Sequence, residues 1–335
     1  MAALDVVFLG GVRVDHAITA SGEAAGPVEG GNCLFAAAGA RLWGMTVAVV
    51  TRVRSPWPDA WTMRAVAAGI NMEAVHSVPG SGGLSSYFRY DEDGQRRSLG
   101  RGEWVAAAGT VLREELGEPA PHTPEYEEAH AAVTPCGAEV PAPFWEAPVL
   151  GFLTAPLANQ WSWLTELARQ HKTGTGPKPL VLLDPYSTYM REASDGTLRR
   201  LFRQVDIVLP SEAELKSRYP GRTAQAAASQ LVTLGARTVV AKLGAQGSIV
   251  TSPDGSTLIP AFPVKAKDPT GAGDAFAGGL AAGWLETGDV VQAALYGTVS
   301  ASFVVEDFGL FHTFGRTRAE AEQRLRILRR LLAPR

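Results

Sequence analysis

Short runs of consecutive apolar residues recur along the chain, each ended by glycine, proline or a polar turn. Residues 4–9, apolar apart from Asp5, form the first, stopped by Gly10 and Gly11, and residues 47–51, 149–153, 180–183, 207–209 and 238–242 are mostly apolar in the same way. Runs of this length suit strands buried on both faces, as in a parallel sheet, whose sides are both covered. Between them lie segments with helical patterning: the Ala-rich stretch 33–44 that closes on Gly44, then 60–69, 161–170 with its tryptophans, 198–203, a segment from Glu212, and 223–234. Glycine after the last apolar turn is a common helix stop. Strand and helix alternating in this way predict one α/β domain over residues 1–335, with a mostly parallel central sheet and helices on both faces. A strand pair is expected around 248–259.

Three stretches depart from the alternation. Residues 85–99 carry Tyr87, Phe88 and Tyr90 before an acidic turn at Asp91 to Gly94, and then Arg96 and Arg97, which predicts a hairpin that projects from the main sheet. Residues 110–148 are rich in Glu, Ala and Pro and predict no more than a helix within a long loop. The last segment, about 317–332, places Leu325, Ile327, Leu328, Leu331 and Leu332 among arginines at helical spacing. Such a basic amphipathic helix can lie on membranes, but in this setting it is expected to dock on the body of the domain.

Composition narrows the function classes. The 335 residues can bury a substantial core, and 46% hydrophobic and 19% charged residues are ordinary for a globular chain. A net charge of −3 gives no electrostatic reason to expect nucleic acid or an anionic membrane as partner. Cys33 and Cys136 stand far apart, so neither a disulfide framework nor a thiolate cluster is indicated and a reducing, cytoplasmic compartment is expected. The N-terminus lacks a basic leader, no run reaches the length of a membrane span, and the six histidines lack zinc-type pairing.

Candidate chemistry is concentrated between Lys267 and Gly288, in the run KDPTGAGDAFAGGLAAGWLETG. Gly271, Ala272 and Gly273 lead into a helix start, where unpaired N–H groups and the positive dipole end attract an anion such as phosphate. Asp274 is either a good cap for that helix or a general base beside an anion hole. Two further features are individually weak. Gly244 and Gly247 form a turn between two expected strands after Lys242, able to bring phosphates near the backbone or simply to reverse the chain. Ser211 and Glu214 have the spacing of a capping box.

Taken together, these stretches and the early GGVRVD and GGN motifs resemble the ribokinase or PfkB family of carbohydrate and nucleoside kinases, and DPTGAGDAFAGG resembles its C-terminal signature. The region from Tyr296 to Gly309 is most similar to a divergent branch, the Mak32-like proteins. The likeness spans nearly the whole chain but leaves out 110–148. It implies a ribokinase-like fold with a small β-lid built from about 12–29 and 85–100. It further implies that Asp274 is the general base and that the amides of Gly271, Ala272 and Gly273 form the anion hole. Lys242, Gly244 and Gly247 would meet ATP, with Ser211 and Glu214 beside them, Glu214 holding Mg2+ through water. Asp268 would lie near a monovalent cation such as K+. Asp15, Gly30, Gly31, Asn32 and Phe35 would bind the acceptor, since a carboxylate can accept two adjacent hydroxyls.

Two positions depart from the family pattern. Ser211 stands where an Asn is common, and Phe35 where an Asn often contacts sugar, which favours a less polar or aromatic acceptor. No G-x-x-x-x-G-K-[ST] run occurs, which excludes a P-loop kinase on pattern, and Gly10-Gly11 lacks G-x-G-x-x-G, which argues against a nicotinamide-binding domain. The expectation is an ATP- and Mg2+-dependent kinase acting on a sugar, nucleoside or related alcohol, with a non-catalytic regulatory protein on the same fold as the alternative. The lid aromatics suggest a homodimer joined lid to lid.

Overall fold

The computed structural model describes residues 3–55, 57–81, 85–92, 96–109, 124–173 and 177–332. The tip of the expected hairpin at 93–95 and residues 110–123 lie outside them. The strands are β1 (Val6–Leu9), β2 (Arg13–Ile18), β3 (Ala24–Gly30), β4 (Val47–Ser55), β5 (Ile70–Ser81), β6 (Ser85–Tyr90), β7 (Arg96–Ser98), β8 (Val149–Phe152), β9 (Leu180–Leu183), β10 (Ile207–Val208), β11 (Thr238–Lys242), β12 (Ser248–Ser252) and β13 (Gly255–Ile259). The helices are α1 (Asn32–Arg41), α2 (Asp59–Ala67), α3 (Arg101–Ala108), α4 (Pro124–Val133), α5 (Leu157–Thr173), α6 (Ser187–Glu192), α7 (Asp195–Phe202), α8 (Glu212–Arg218), α9 (Ala224–Leu234), α10 (Ala272–Thr287), α11 (Val290–Val304) and α12 (Arg318–Leu332).

The main sheet runs β13-β12-β11-β10-β9-β8-β1-β4-β5 and is parallel except where β12 turns back against β11 and β13 against β12. Alternation along β1 explains the two helical layers. Val6 and Phe8 join the core beneath α1, α10 and α11, while Val7 and Leu9 join the core beneath α5, α7 and α9. A second, smaller sheet of order β3-β2-β6-β7 stands apart and contains the expected hairpin, with β6 antiparallel to β7 and parallel to β2. Helix α12 docks through Leu325 and Leu328, with the Arg324 guanidinium 3.6 Å from the centre of the Phe303 ring, and leaves Leu331 exposed. Among the described residues no helix is long and apolar enough to cross a membrane.

One expectation is corrected here. Tyr87, Phe88 and Tyr90 do not offer a free outer face for a second lid, because all three are buried within the chain. Tyr87 packs with Trp104 of α3, and Phe88 and Tyr90 pack with Ala17 and Phe308. Apolar rings at alternating and adjacent positions of a short strand find covers on both faces of the small sheet, so their presence does not signal an interface.

The glycines of α10 serve packing as much as flexibility. A Cβ added at Gly278 would lie 1.9 Å from the carbonyl oxygen of Ala36, and one at Gly39 would lie 2.3 Å from that of Ala275. Helices α1 and α10 therefore meet backbone to backbone, an approach that only residues without a side chain allow. Gly278→Ala is expected to destabilise the fold by about 1–3 kcal/mol, because the colliding atom is main chain and cannot swing away. A urea-unfolding midpoint indistinguishable from wild type would show that the two helices part without cost.

Candidate active site

A cavity of about 750 Å³ opens between the small sheet and the carboxyl ends of the main-sheet strands, which is where open α/β sheets place their ligands. Thr154 and Tyr186, just beyond β8 and β9, line it from the main sheet. Asp15 of β2 and Ser86 and Tyr87 of β6 line it from the small sheet, and Gly31, Asn32 and Phe35 from the start of α1. Gly271 and Asp274 complete it from the start of α10.

The start of α10 has the geometry that its sequence suggests. Gly271 is the N-cap with φ 75°, a left-handed backbone that favours glycine, and a Cβ there would sit 2.3 Å from the Phe35 ring. The N–H of Ala272 is taken by the carbonyl of Pro269 at 3.2 Å, whereas no hydrogen bond among the described residues uses the N–H of Gly271 or Gly273. Asp274 occupies the third helical position. Burial pushes its carboxyl up to about 7, with the charges of Asp184 and Asp15 adding to the rise and those of Lys242 and Arg13 opposing it. A carboxyl titrating near neutrality is poised to take a proton from an alcohol.

Asp15 is 3% exposed, and burial lifts its carboxyl to about 6 against the opposing charges of Arg96 and Arg13. Gly30 has to be glycine for it, because a Cβ there would lie 2.1 Å from Asp15 Oδ2. Asn32 ties two loops, its Oδ1 accepting from Gly11 N at 2.9 Å and its Nδ2 donating to Thr154 O at 2.7 Å.

Behind the α10 loop lies a second group of charges. Lys242, at the end of β11, donates to Asp184 Oδ2 at 2.5 Å, and a Cβ on Gly273 would be 3.4 Å from its Nζ. Burial works against the Lys242 ammonium, but Asp184, Glu214 and Asp274 together hold its pKa above the ordinary value. Burial and the Asp184 charge push Glu214 up to about 7. Ser211 and Glu214 also form the capping box of α8, with Ser211 N donating to Glu214 Oε2 at 2.7 Å and Glu214 N to Ser211 Oγ at 3.3 Å. The turn after β11 keeps Gly247 for packing, since a Cβ there would lie 2.0 Å from Ile259 O, while Gly244 has φ 57° and open space around it.

The sequence candidates thus fall into two clusters. Asp15, Gly31, Asn32, Phe35, Gly271 and Asp274 line the cavity, whereas Lys242, Ser211, Glu214, Gly244 and Gly247 lie outside its lining, as do Gly30, Ala272 and Gly273, neighbours of lining residues. Asp268 is buried nearby and accepts at Oδ1 from Thr270 N at 3.0 Å and Thr270 Oγ1 at 2.6 Å. Thr270 Oγ1 is in turn 2.9 Å from Tyr90 OH, which joins the small sheet to the loop before α10. The sequence reading missed Asp184, Arg13, Tyr126 and His130. An Asp-Pro pair directly after an apolar strand is the signal that marks Asp184; the others have no local signature.

A model of the pfkB family of carbohydrate kinases matches residues 156–313. The chain is 27% identical over 312 residues to a cytidine kinase of Thermococcus kodakarensis, covering 91% of this chain and 98% of the relative. Among solved structures, a Burkholderia thailandensis nucleoside kinase in complex with inosine superposes with a TM-score of 0.70 at 18% identity, over 96% of this chain and 97% of that one. A Vibrio cholerae O395 fructokinase with fructose, ADP and calcium ion bound gives 0.70 at 18% identity, over 96% and 99%. The fold is ribokinase-like.

Proposed function

We propose that the chain, whose residues 156–313 match a model of the pfkB family of carbohydrate kinases, moves the γ-phosphoryl group of ATP to a hydroxyl of a sugar, nucleoside or related small molecule. The observation that carries this reading is Asp274, a carboxyl held near neutrality in the lining of the cavity, in the same helix start as Gly271 and Gly273, whose N–H groups no hydrogen bond among the described residues uses. Phosphoryl transfer passes through a loose transition state, so positioning and charge stabilisation matter more than a strong nucleophile. Asp274 takes the acceptor proton. The two amides and the positive end of α10 meet the charge on the transferring group, and the Lys242 ammonium behind them adds to that field.

Asp15 accepts hydroxyls of the acceptor and fixes which of them reaches Asp274. Gly30 and Gly31 allow the chain to pass close to it. The nucleotide phosphates lie toward the turn of Gly244 and Gly247. Mg2+ commonly binds through one or two carboxylates plus substrate phosphates, and here Glu214 would hold it through water, supplying positive charge to the phosphates. Asp268 would stand beside a monovalent cation such as K+. The small sheet roofs the cavity and excludes water, which would otherwise compete as acceptor.

The test is an ADP-release assay with Mg·ATP and a panel of pentoses, hexoses and nucleosides. Release should rise well above acceptor-free hydrolysis with at least one of them. Hydrolysis at one rate with and without every acceptor would remove the kinase reading.

A further inference from the structure

Helix α4 comes from the stretch 110–148 that the sequence resemblance leaves out, yet it supplies two side chains to the cavity, Tyr126 and His130. Both are buried, and both hold Arg13. Arg13 Nη1 donates to Tyr126 OH at 3.0 Å, and Arg13 Nη2 lies 3.4 Å from His130 Nε2. Burial, reinforced by the charge of Arg13, pulls the His130 ring down to about 3, so it stays neutral and its Nε2 can accept from the guanidinium. The helix is fixed in turn by Glu127, which accepts from Tyr186 OH at 2.8 Å and Thr188 Oγ1 at 3.0 Å, and by Arg52 Nη1 donating to Ala132 O at 3.0 Å. The rings are assembled as a wall, with His130 5.3 Å from Tyr186 at 77° and 6.1 Å from Tyr126.

This wall is more than a hydroxyl-binding site needs. A free pentose presents hydroxyls all round and asks for carboxylates and amides. Here Asp15 serves that purpose, and beside it the lining also offers the Arg13 guanidinium, two residues away on β2, and the aromatic surface of α4 and Tyr186. Rings recognise a planar π-face, and a guanidinium donates in its plane to oxygen or nitrogen acceptors on a ring edge. A volume of about 750 Å³ also lies within the range of drug-sized ligands and leaves room beyond one sugar ring.

We propose that α4 is the acceptor-specificity element of this kinase and that Tyr126 and His130, with the Arg13 they position, select an acceptor whose hydroxylated part carries a planar heteroaromatic ring, that is, a nucleoside rather than a free sugar. The proposal rests on the kinase reading for which hydroxyl reacts, but the binding preference is measurable without transfer.

Titration calorimetry of the full chain with cytidine, uridine, adenosine and inosine against ribose should show at least one nucleoside binding more tightly than ribose. Tyr126→Leu should weaken that nucleoside by roughly 5- to 150-fold, the range of a lost base–aromatic stack, and so narrow the gap to ribose. Tyr126→Phe keeps the ring and should keep most of the gap, so the pair separates stacking from general packing. Ribose bound as tightly as every nucleoside by the wild-type protein overturns the proposal, whatever the variants do. So does a folded Tyr126→Leu or His130→Ala protein that retains the full gap. Nucleoside binding with no transfer from Mg·ATP would uphold the role of α4 and remove the kinase reading, whereas transfer to ribose in preference to nucleosides would do the reverse.

Discussion

Asp274→Asn is expected to lower kcat by roughly 10²- to 10⁴-fold, the contribution of a positioned general base, with little change in nucleotide affinity. The asparagine keeps the size and the start of α10 but cannot take a proton. The same carboxyl sets the pH dependence of the wild-type enzyme. Its pKa is about 7, so the free enzyme should gain kcat/KM as pH rises through neutrality, and the variant should lose that limb. Stability should move the other way. The folded pKa lies above the ordinary carboxyl value near 3.8, so between these limits the unfolded chain sheds a proton that the folded chain keeps. This contribution to stability is therefore complete at low pH and lost as pH rises through about 7. Asp274→Asn escapes the loss and should melt about 2 °C or more above wild type at pH 8. A variant that retains wild-type turnover on its best acceptor, or whose pH profile is unchanged, removes Asp274 from the role of base.

Gly271→Ala is expected to cost roughly 10²- to 10³-fold in kcat, about the loss of one anion-hole donor. The reason is geometric. An alanine must adopt φ near 75° and also place its Cβ 2.3 Å from the Phe35 ring, so either the loop turns its N–H away or Phe35 leaves the cavity wall. The double variant Gly271→Ala/Phe35→Leu gives the new methyl space while leaving the backbone strain, so it should recover part of the lost stability and only a small part of the lost rate. Full activity in the single variant would show that the Gly271 amide is not aimed at the reacting group.

Much of the fold is legible because buried parallel strands are short, mostly apolar runs bounded by glycine, proline or polar residues, and β1, β8, β9 and β11 obey that rule. β5 is hidden because Asn71, Glu73, His76 and Pro79 interrupt its apolar pattern. An edge strand tolerates such residues, since it pairs on one side only. The α10 loop is legible because anion binding, a tight approach and a base must share a few consecutive residues. The acceptor side is not, because Arg13 of β2, Tyr126 and His130 of α4, and Tyr186 after β9 come from three separate places and meet only through tertiary structure. Short-range patterns carry no trace of a contact between Arg13 and His130, 117 positions apart. The lid aromatics are the converse case, in which strong apolar signals are satisfied inside the fold and so carry no information about a partner.

The close contact of α1 with α10 has an evolutionary meaning. Because the two helices touch at main-chain level, Phe35 and Asp274 ride on one rigid unit, and few substitutions there leave the chemistry intact. The residues of α4 lie on a separate segment held at its rim by side-chain contacts. If α4 selects the acceptor as proposed, a lineage could change that choice by editing ten residues, 124–133, while the start of α10 stays under unchanged selection.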